Sequence, residues 1–335
     1  MREQSDIVAV KPRITWMDTL RGSAILLLLL WHASSVPRQF GFAMPSWLFL
    51  LNEVFLPWRM PTLMLLSGLL LSASLRKPPA EYFVGKVRNI LWPYMVWAAM
   101  FLGFYPEPGE SITNPVSWFG AGYLWFLCYL FLYYMSAPVI TRLPGWVVLP
   151  TLMCGALFVP WTSPQKVLFF AVFYFAGHYL TSVLTWATTA PARWLWGGLA
   201  ISVVFTVASL ALSAQRQTHY FQFAALAIPF VLVQILTSAR LAHDADRRWA
   251  GTLPLIFMSW VGRNSIAFYL SHVPAMLAAC ALVSLGVSQP TLWIVAVCYL
   301  AALTVGCLLA RFNAVIPMTW LFRAPSRSHR TRTVA

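Results

Sequence analysis

Apolar residues lie along this chain in long unbroken blocks, for example at 24–30, 167–176 and 293–310. A helix in the core of a soluble protein would keep a polar stripe on one side, whereas these blocks have none. Blocks of this kind predict helices of about 20 residues that cross a membrane. We predict ten such spans, at about 16–36, 58–75, 88–105, 120–140, 145–161, 165–186, 194–213, 219–241, 264–286 and 291–311.

Two further apolar stretches do not fit a full span. Residues 40–56 are apolar enough to lie in the membrane interface or to re-enter the bilayer. Residues 253–261 fit a short helix lying on the cytoplasmic surface.

The distribution of basic residues sets the orientation. With the N-terminus inside, most of the 23 Lys and Arg residues fall in cytoplasmic segments, and few, such as Arg38, Arg59 and Lys166, fall outside. The positive-inside rule then places both termini in the cytoplasm. The predicted fold is an all-α integral membrane protein, a bundle of about ten transmembrane helices, with a cytoplasmic segment (1–15), a transmembrane domain (16–311) and a basic cytoplasmic tail (312–335).

Composition excludes several classes of protein. Of the 335 residues, 60% are hydrophobic and 10% are charged, against about 25% charged in a soluble domain. The net charge of +14 would suggest nucleic acid in a soluble protein, but here positive-inside topology explains it, so no nucleic-acid partner is expected. The five cysteines lie in apolar segments without a CxxC pair, which predicts neither a disulfide framework nor a metal site.

The N-terminus lacks the pattern of a cleaved signal peptide, so the first span should stay in the mature protein.

Ionisable residues inside the first span are the strongest indication of chemistry. His32 follows Arg21 at the eleventh position, which is about three helical turns and about 16 Å along the helix, so the two share one face. Asp18 lies on the same stripe. Such groups are costly in a membrane and usually line a cavity. The alternative is that Arg21 extends to the headgroups and His32 hydrogen-bonds a neighbouring helix.

The segment around this pair is similar to a known family. Residues 17–26, followed by His32, resemble the opening signature of the acyltransferase 3 family of membrane-bound O-acyltransferases, in which ten residues separate an arginine and a histidine. Three later segments resemble the family in the same order: 60–70 leading to 83–97, then 123–127, then 261–272. Two differences from the family pattern bear on the size of the acyl group and on how the donor is bound. Thr62, Leu63 and Met64 replace a phenylalanine-rich run, and the basic run before the third span is thinner.

The resemblance implies an enzyme that moves an acyl group, expected to be acetyl, from cytoplasmic acyl-CoA to a hydroxyl of a cell-envelope glycan or glycolipid. Its partners would be membrane lipid, acyl-CoA and the sugar acceptor, with no tightly bound cofactor, in the plasma (inner) membrane of a bacterium. The alternatives are a secondary transporter or an exporter of envelope polysaccharide, and a structural subunit. A transporter would show two related halves, and the sequence shows none.

The implied reaction assigns roles to residues. His32, with Arg21, would be catalytic, either as the base that takes the proton of the acceptor hydroxyl or as a transient carrier of the acyl group. Asp18 and Arg21 lie too far along the helix to orient His32, so an orienting partner must come from another span.

The remaining candidates fall into two groups. Phosphates of the donor need cytoplasmic cations, and Arg76, Lys86, Arg88 and Arg21 are the candidates, although topology alone would also place basic residues there. Ser265, Tyr269 and His272 follow helical spacing and should face the cavity together with Asp18, unless they only join helices. Trp125 is the expected aromatic wall.

Overall fold

The computed structural model describes residues 14–106, 108–159, 162–215, 220–285, 292–315 and 317–325. Within these residues the chain forms helices and no strands. The α-helices are α1 (Thr15–Gln39), α2 (Ser46–Leu69), α3 (Leu71–Leu75), α4 (Pro79–Lys86), α5 (Trp92–Phe104), α6 (Trp125–Ile140), α7 (Gly145–Phe158), α8 (Thr162–Tyr179), α9 (Thr181–Thr189), α10 (Ala192–Gln215), α11 (Tyr220–Trp249), α12 (Leu253–Arg263), α13 (Ser265–Ser284) and α14 (Trp293–Phe312). Residues 1–13 of the predicted N-terminal segment and 326–335 of the predicted tail lie outside the described residues.

The membrane character of the bundle is confirmed, but the number of spans is not. Among the described residues, five helices are long and apolar enough to cross a membrane: Thr15–Gln39, Ser46–Leu75, Gly122–Ile140, Ser265–Ser284 and Trp293–Phe312. A sixth span results if Ser163–Tyr179 and Thr181–Thr189 form one crossing, bent by 71°. The apolar helices Gly145–Phe158 and Ala192–Ala208 are shorter. The count of ten and the cytoplasmic location of the termini therefore stay predictions.

Prolines mark where several helices begin. Pro45 and Pro144 directly precede α2 and α7, and Pro79 is the first residue of α4. The ring presets the φ angle of a helix, and the amide hydrogen that proline lacks would have no partner in a first turn. Proline inside a helix is also tolerated here, as Pro57 and Pro61 within α2 show.

Two helix boundaries differ from the prediction, and one expected short helix is present. The second helix begins at Ser46 rather than near residue 58, so the uncertain stretch 40–56 mostly belongs to it. α11 continues to Trp249, beyond the predicted end near residue 241, because the polar residues 243–248 extend the same helix. The short helix expected near 253–261 is present as α12.

Helix α1 lies at the centre of the bundle. It packs against α2, α11, α12, α13 and α14, and its buried residues include Ala24, Leu29 and Ala33. The helix that carries the candidate catalytic pair is therefore enclosed by other helices along much of its length.

Two pairs of glycines allow helix backbones to touch. A Cβ atom on Gly22 of α1 would lie 1.9 Å from the carbonyl oxygen of Met258, and one on Gly262 of α12 would lie 1.9 Å from that of Asp18. Gly68 of α2 and Gly177 of α8 form a similar contact, with distances of 1.8 Å to Tyr174 O and 2.1 Å to Leu65 O. Helices in membranes associate through such small residues because lipid supplies little hydrophobic drive between them.

The α1–α12 contact predicts that the stability of the fold is sensitive to a Gly→Ala substitution at Gly22 and not at glycines with free space around them. Gly22→Ala places a methyl group against the Met258 carbonyl and should destabilise the fold by about 1–3 kcal/mol, which lowers the melting temperature by several degrees. Gly197→Ala is the matched control, because nothing lies within 4 Å of its Cβ position on α10. Thermal unfolding of both purified variants checks this, and equal melting temperatures for the two would contradict it.

Candidate active site

A cavity of about 310 Å³ lies among α1, α2, α6, α8 and α13. This volume is at the lower end of the range found for ligand sites. Most of its wall is apolar or aromatic, and the ionisable side chains that line it are His32, Arg59, Tyr123, Lys166 and Tyr269. Of the residues predicted from the sequence, His32, Trp125 and Tyr269 line the cavity.

His32 meets a second histidine from a distant part of the chain. Its Nδ1 lies 3.3 Å from Nε2 of His272 on α13 and 3.1 Å from the Leu28 carbonyl oxygen. The two rings are 4.7 Å apart and nearly perpendicular. His272 is fully buried, whereas His32 is half-buried and reaches the cavity. The orienting partner expected from another span is therefore His272.

The hydrogen bonds of the two rings define their tautomers. Nδ1 of His272 lies 2.7 Å from the Tyr269 carbonyl oxygen, and a carbonyl can only accept, so we place a proton on this nitrogen. Nε2 of His272 then has a lone pair and accepts from Nδ1–H of His32. Nε2 of His32 is left with its lone pair, and it has no hydrogen-bond partner in the part of the chain that the structure describes. His32 is thus prepared to take a proton at Nε2.

Two tyrosines hold α13 against the segment before α6. Tyr269 OH donates to the Tyr123 carbonyl oxygen at 2.6 Å, and Tyr123 OH donates to the Leu270 carbonyl oxygen at 2.6 Å. The Tyr123 ring also contacts His272 edge-on, with centroids 5.2 Å apart. This reciprocal pair fixes the wall behind the histidines. Tyr269 thus joins two helices as well as lining the cavity.

Arg59 is the cavity residue that the sequence prediction misplaced. The positive-inside count put it in an outer segment, but it lies within α2 and is 2% exposed. Its Nη1 donates to the Leu27 carbonyl oxygen at 3.2 Å, and its guanidinium lies 4.9 Å from the Trp31 ring centroid. The early start of α2 causes the difference, since thirteen residues of helix precede Arg59. Its place beside Met60-Pro61, a segment similar to the family, is a signal that could have found it.

Lys166 and Trp125 form another part of the wall. The Lys166 amine lies 4.0 Å from the centroid of the Trp125 ring, which also packs on Phe170 at 4.8 Å. Trp125 therefore lines the cavity as expected, and it supports a cation that the sequence analysis counted only as an outer loop charge.

A second group of cations gathers around Tyr134 of α6, away from the cavity. The Lys86 amine lies 3.4 Å from the Tyr134 ring centroid and donates to Ser74 Oγ at 2.8 Å. Arg21 is close enough to interact electrostatically with Tyr134, and its Nη1 lies 3.8 Å from Asp18 Oδ1. Two of the predicted donor-binding residues, Arg21 and Lys86, therefore both interact with Tyr134.

The pKa of the Lys86 amine is lowered. Burial, and to a smaller extent the nearby charge of Lys77, lowers this pKa to about 8. An anion beside this amine would favour its protonated form. The amine can thus change charge near neutral pH, which an exposed lysine does not do.

Arg88 is engaged by the segment after α14. It lies in a π-helical turn, Val87–Leu91, and its Nη2 donates to the Ala324 carbonyl oxygen at 3.2 Å, while its own carbonyl accepts from Ala324 N at 3.1 Å. Trp92 and Trp97 donate from their indole nitrogens to the carbonyl oxygens of Trp320 and Leu321. Arg88 is therefore joined to this C-terminal segment.

The structure does not bring the other predicted residues to the cavity. Arg76 is exposed after α3. Asp18 is 5% exposed and lies where α1 meets α12, and Ser265 is half-buried at the first residue of α13. Asp18 and Ser265 were expected to face the cavity with Tyr269 and His272. They lie nearer to the helix ends, because the cavity is confined to the level of His32.

The comparisons with known proteins agree with the earlier resemblance. A family model described as an acyltransferase domain, Acyl_transf_3, matches residues 14–311. No curated protein and no solved structure matches the chain significantly. The matched range contains the whole cavity, both histidines and the basic cluster at Tyr134. Because it covers most of the chain, the protein belongs to the acyltransferase 3 family of membrane acyltransferases.

Proposed function

We propose that the protein transfers an acyl group, with acetyl as the expected one, from acyl-CoA to a hydroxyl of an envelope glycan or glycolipid in the plasma (inner) membrane of a bacterium. The observation that carries this proposal is the His32–His272 pair, because it leaves a nitrogen lone pair on a histidine that lines a cavity of a family acyltransferase. A transporter is not favoured, since the family match assigns the whole bundle to acyl transfer.

The direct reaction needs one base and one site for negative charge. His32 Nε2 takes the proton of the acceptor hydroxyl as its oxygen bonds to the thioester carbonyl carbon. The carbonyl oxygen becomes negative, and the Arg59 guanidinium, which lines the same cavity, is the group that stabilises this charge. The carbon–sulfur bond then breaks, and the leaving thiolate takes the proton from His32 Nε2.

His272 has a positioning role in this mechanism. When His32 gains a proton, its Nδ1–H donates to Nε2 of His272, so part of the new positive charge is shared with a fixed acceptor. A covalent route, in which His32 Nε2 itself receives the acyl group, uses the same lone pair and the same partner.

The charged part of the donor is assigned to the basic cluster at Tyr134. Arg21 lies about 16 Å along α1 from His32, a distance on the scale of the arm that separates a thioester from the phosphates of coenzyme A. A guanidinium binds phosphate with two parallel hydrogen bonds, and an ammonium adds a point charge. Arg21 and Lys86 therefore bind the donor, while Arg76 and Arg88 contribute at longer range or support the segment.

Loss of the base should stop transfer without loss of the fold. His32→Ala, assayed in nanodiscs by release of free thiol from acetyl-CoA with a sugar acceptor, should lower the rate by about 10²–10⁴-fold. His178→Ala is the matched control, because His178 hydrogen-bonds Ser72 and does not line the cavity. A His32→Ala rate within about tenfold of wild type, at equal protein abundance, would remove His32 as the base.

The role of His272 is tested by retaining or removing its acceptor atom. His272→Leu leaves Nδ1–H of His32 without its side-chain partner and should lower kcat by roughly a hundredfold, with little change in the affinity for acetyl-CoA. His272→Gln keeps an oxygen that can accept and should retain much of the activity. If the two variants have the same kcat and the same melting temperature, the acceptor role is wrong.

The titration of Lys86 predicts a dependence of donor binding on pH. Because the lowered pKa is about 8, the amine is charged below pH 8 and loses its charge above it. The affinity for acetyl-CoA should therefore fall by up to about tenfold per pH unit above pH 8. Lys86→Arg keeps its charge and should remove this fall.

Lys77→Arg is the control for this measurement, because Lys77 is exposed, pairs with Glu81 at 2.7 Å and keeps its charge in the variant. It should retain the wild-type dependence on pH. Equilibrium binding of acetyl-CoA from pH 7 to pH 9 makes the comparison. The same fall in Lys86→Arg as in wild type would exclude Lys86 from the donor site.

A further inference from the structure

The cavity has more positive charge than the proposed reaction uses. Its lining contains two basic side chains, Arg59 and Lys166, and no carboxylate. Glu53, further back on α2, interacts electrostatically with Arg59 but does not line the cavity. The proposed reaction already uses Arg59, which stabilises the negative charge that develops on the thioester carbonyl oxygen. Lys166 has no part in that step.

Lys166 is held in place by its surroundings. Gln165, which is buried, donates to the Ala156 carbonyl oxygen at 2.8 Å and fixes this turn of α8 against α7. The Lys166 amine rests 4.0 Å from the centroid of the Trp125 ring. No carboxylate of the described residues forms an ion pair with it. A half-buried ammonium without an acidic partner is costly, and a ring face compensates only part of that cost.

Membrane topology does not explain this lysine. The positive-inside rule disfavours a lysine at the predicted outer end of the bundle, where few other cations lie. A lysine at the predicted outer end would ordinarily extend to the lipid headgroups, whereas Lys166 lines the cavity that also contains His32. The position of the charge is therefore suited to a ligand that enters the cavity.

We propose that Lys166, supported by Trp125, binds an anionic oxygen group of the acceptor, either a sugar carboxylate or a phosphate, so that the acceptor is an acidic glycan unit. This inference rests on the proposed function. Lys166 and His32 line one cavity of about 310 Å³, so a hydroxyl can reach His32 Nε2 while the anionic group of the same sugar, or of its neighbour, meets the Lys166 amine. The phosphates of the donor are assigned to the cluster at Tyr134, at the opposite end of α1, and leave Lys166 to the acceptor.

The test uses pairs of acceptors that differ only in charge. Methyl glycosides of hexuronic acids, the matched neutral hexoses and hexose 6-phosphates, in the gluco, galacto and manno series, are assayed with acetyl-CoA in nanodiscs. In at least one series the wild type should favour an anionic member over the neutral one by about tenfold or more in kcat/KM, because a hydrogen bond to a charged group is worth about that factor. The carboxylate and the phosphate arms show which group Lys166 binds.

Variants of two cations at the predicted outer end distinguish binding at Lys166 from a general effect of positive charge. Lys166→Gln should reduce the preference for anionic acceptors to about one, and Lys166→Arg should restore most of it. Arg38→Gln is the matched control, because Arg38 is exposed near the end of α1, lies 5.8 Å from the Phe49 ring centroid and does not line the cavity. It should keep the wild-type preference. Equal kcat/KM within every wild-type pair, or a preference that survives Lys166→Gln, overturns the inference.

Equilibrium binding of the same sugars without donor distinguishes this inference from the proposed function. A Lys166-dependent preference for the anionic sugars in binding supports the subsite even if no thiol is released, and in that case the proposed function fails alone. Thiol release in wild type with no difference between charged and neutral sugars, in turnover or in binding, overturns the subsite alone. No preference in binding together with no thiol release overturns both.

Discussion

The contact of Gly22 with Gly262 sets the arrangement on which the candidate site depends. Each glycine lies against backbone atoms of the other helix, and a Cβ atom on either would meet a carbonyl oxygen at 1.9 Å. His32 follows Gly22 by ten residues, and His272 follows Gly262 by ten residues. Because α12 leads directly into α13, the register fixed at the glycines carries the two histidines to the same level, where their nitrogens meet at 3.3 Å.

Two cationic regions with different surroundings lie along α1, and the histidine pair belongs to the second of them. Toward the start of α1, Arg21 and Lys86 both interact with Tyr134, and the segment after α14 hydrogen-bonds Arg88. At the level of His32, Arg59 and Lys166 line an internal cavity with largely aromatic and apolar walls. In the proposed reaction, this separation would let each charged region bind one of the two substrates.

Much of the fold follows from local sequence pattern. Long apolar blocks predicted the helices, and the short α12 was expected from its own composition. The start of α2 was not predicted, because residues 40–56 suit an interfacial segment as well as a helix. Packing of α2 against α1 and α8 selects the helix. Because α2 begins at Ser46, Arg59 lies well inside the helix. Counting the charges in predicted loops cannot give this position.

By itself, the sequence determined that Arg21 and His32 share a stripe, because the period of a helix is a property of the chain alone. It also indicated that Trp125, Tyr269 and His272 belong to segments similar to the family. Only the tertiary structure decided that His272 is the partner of His32, 240 residues away, and that Lys166 rests on Trp125 inside the cavity. The physical reason is that contacts between helices depend on their register and closest approach. Here the close glycine contacts set that register, and no local period along the chain records it.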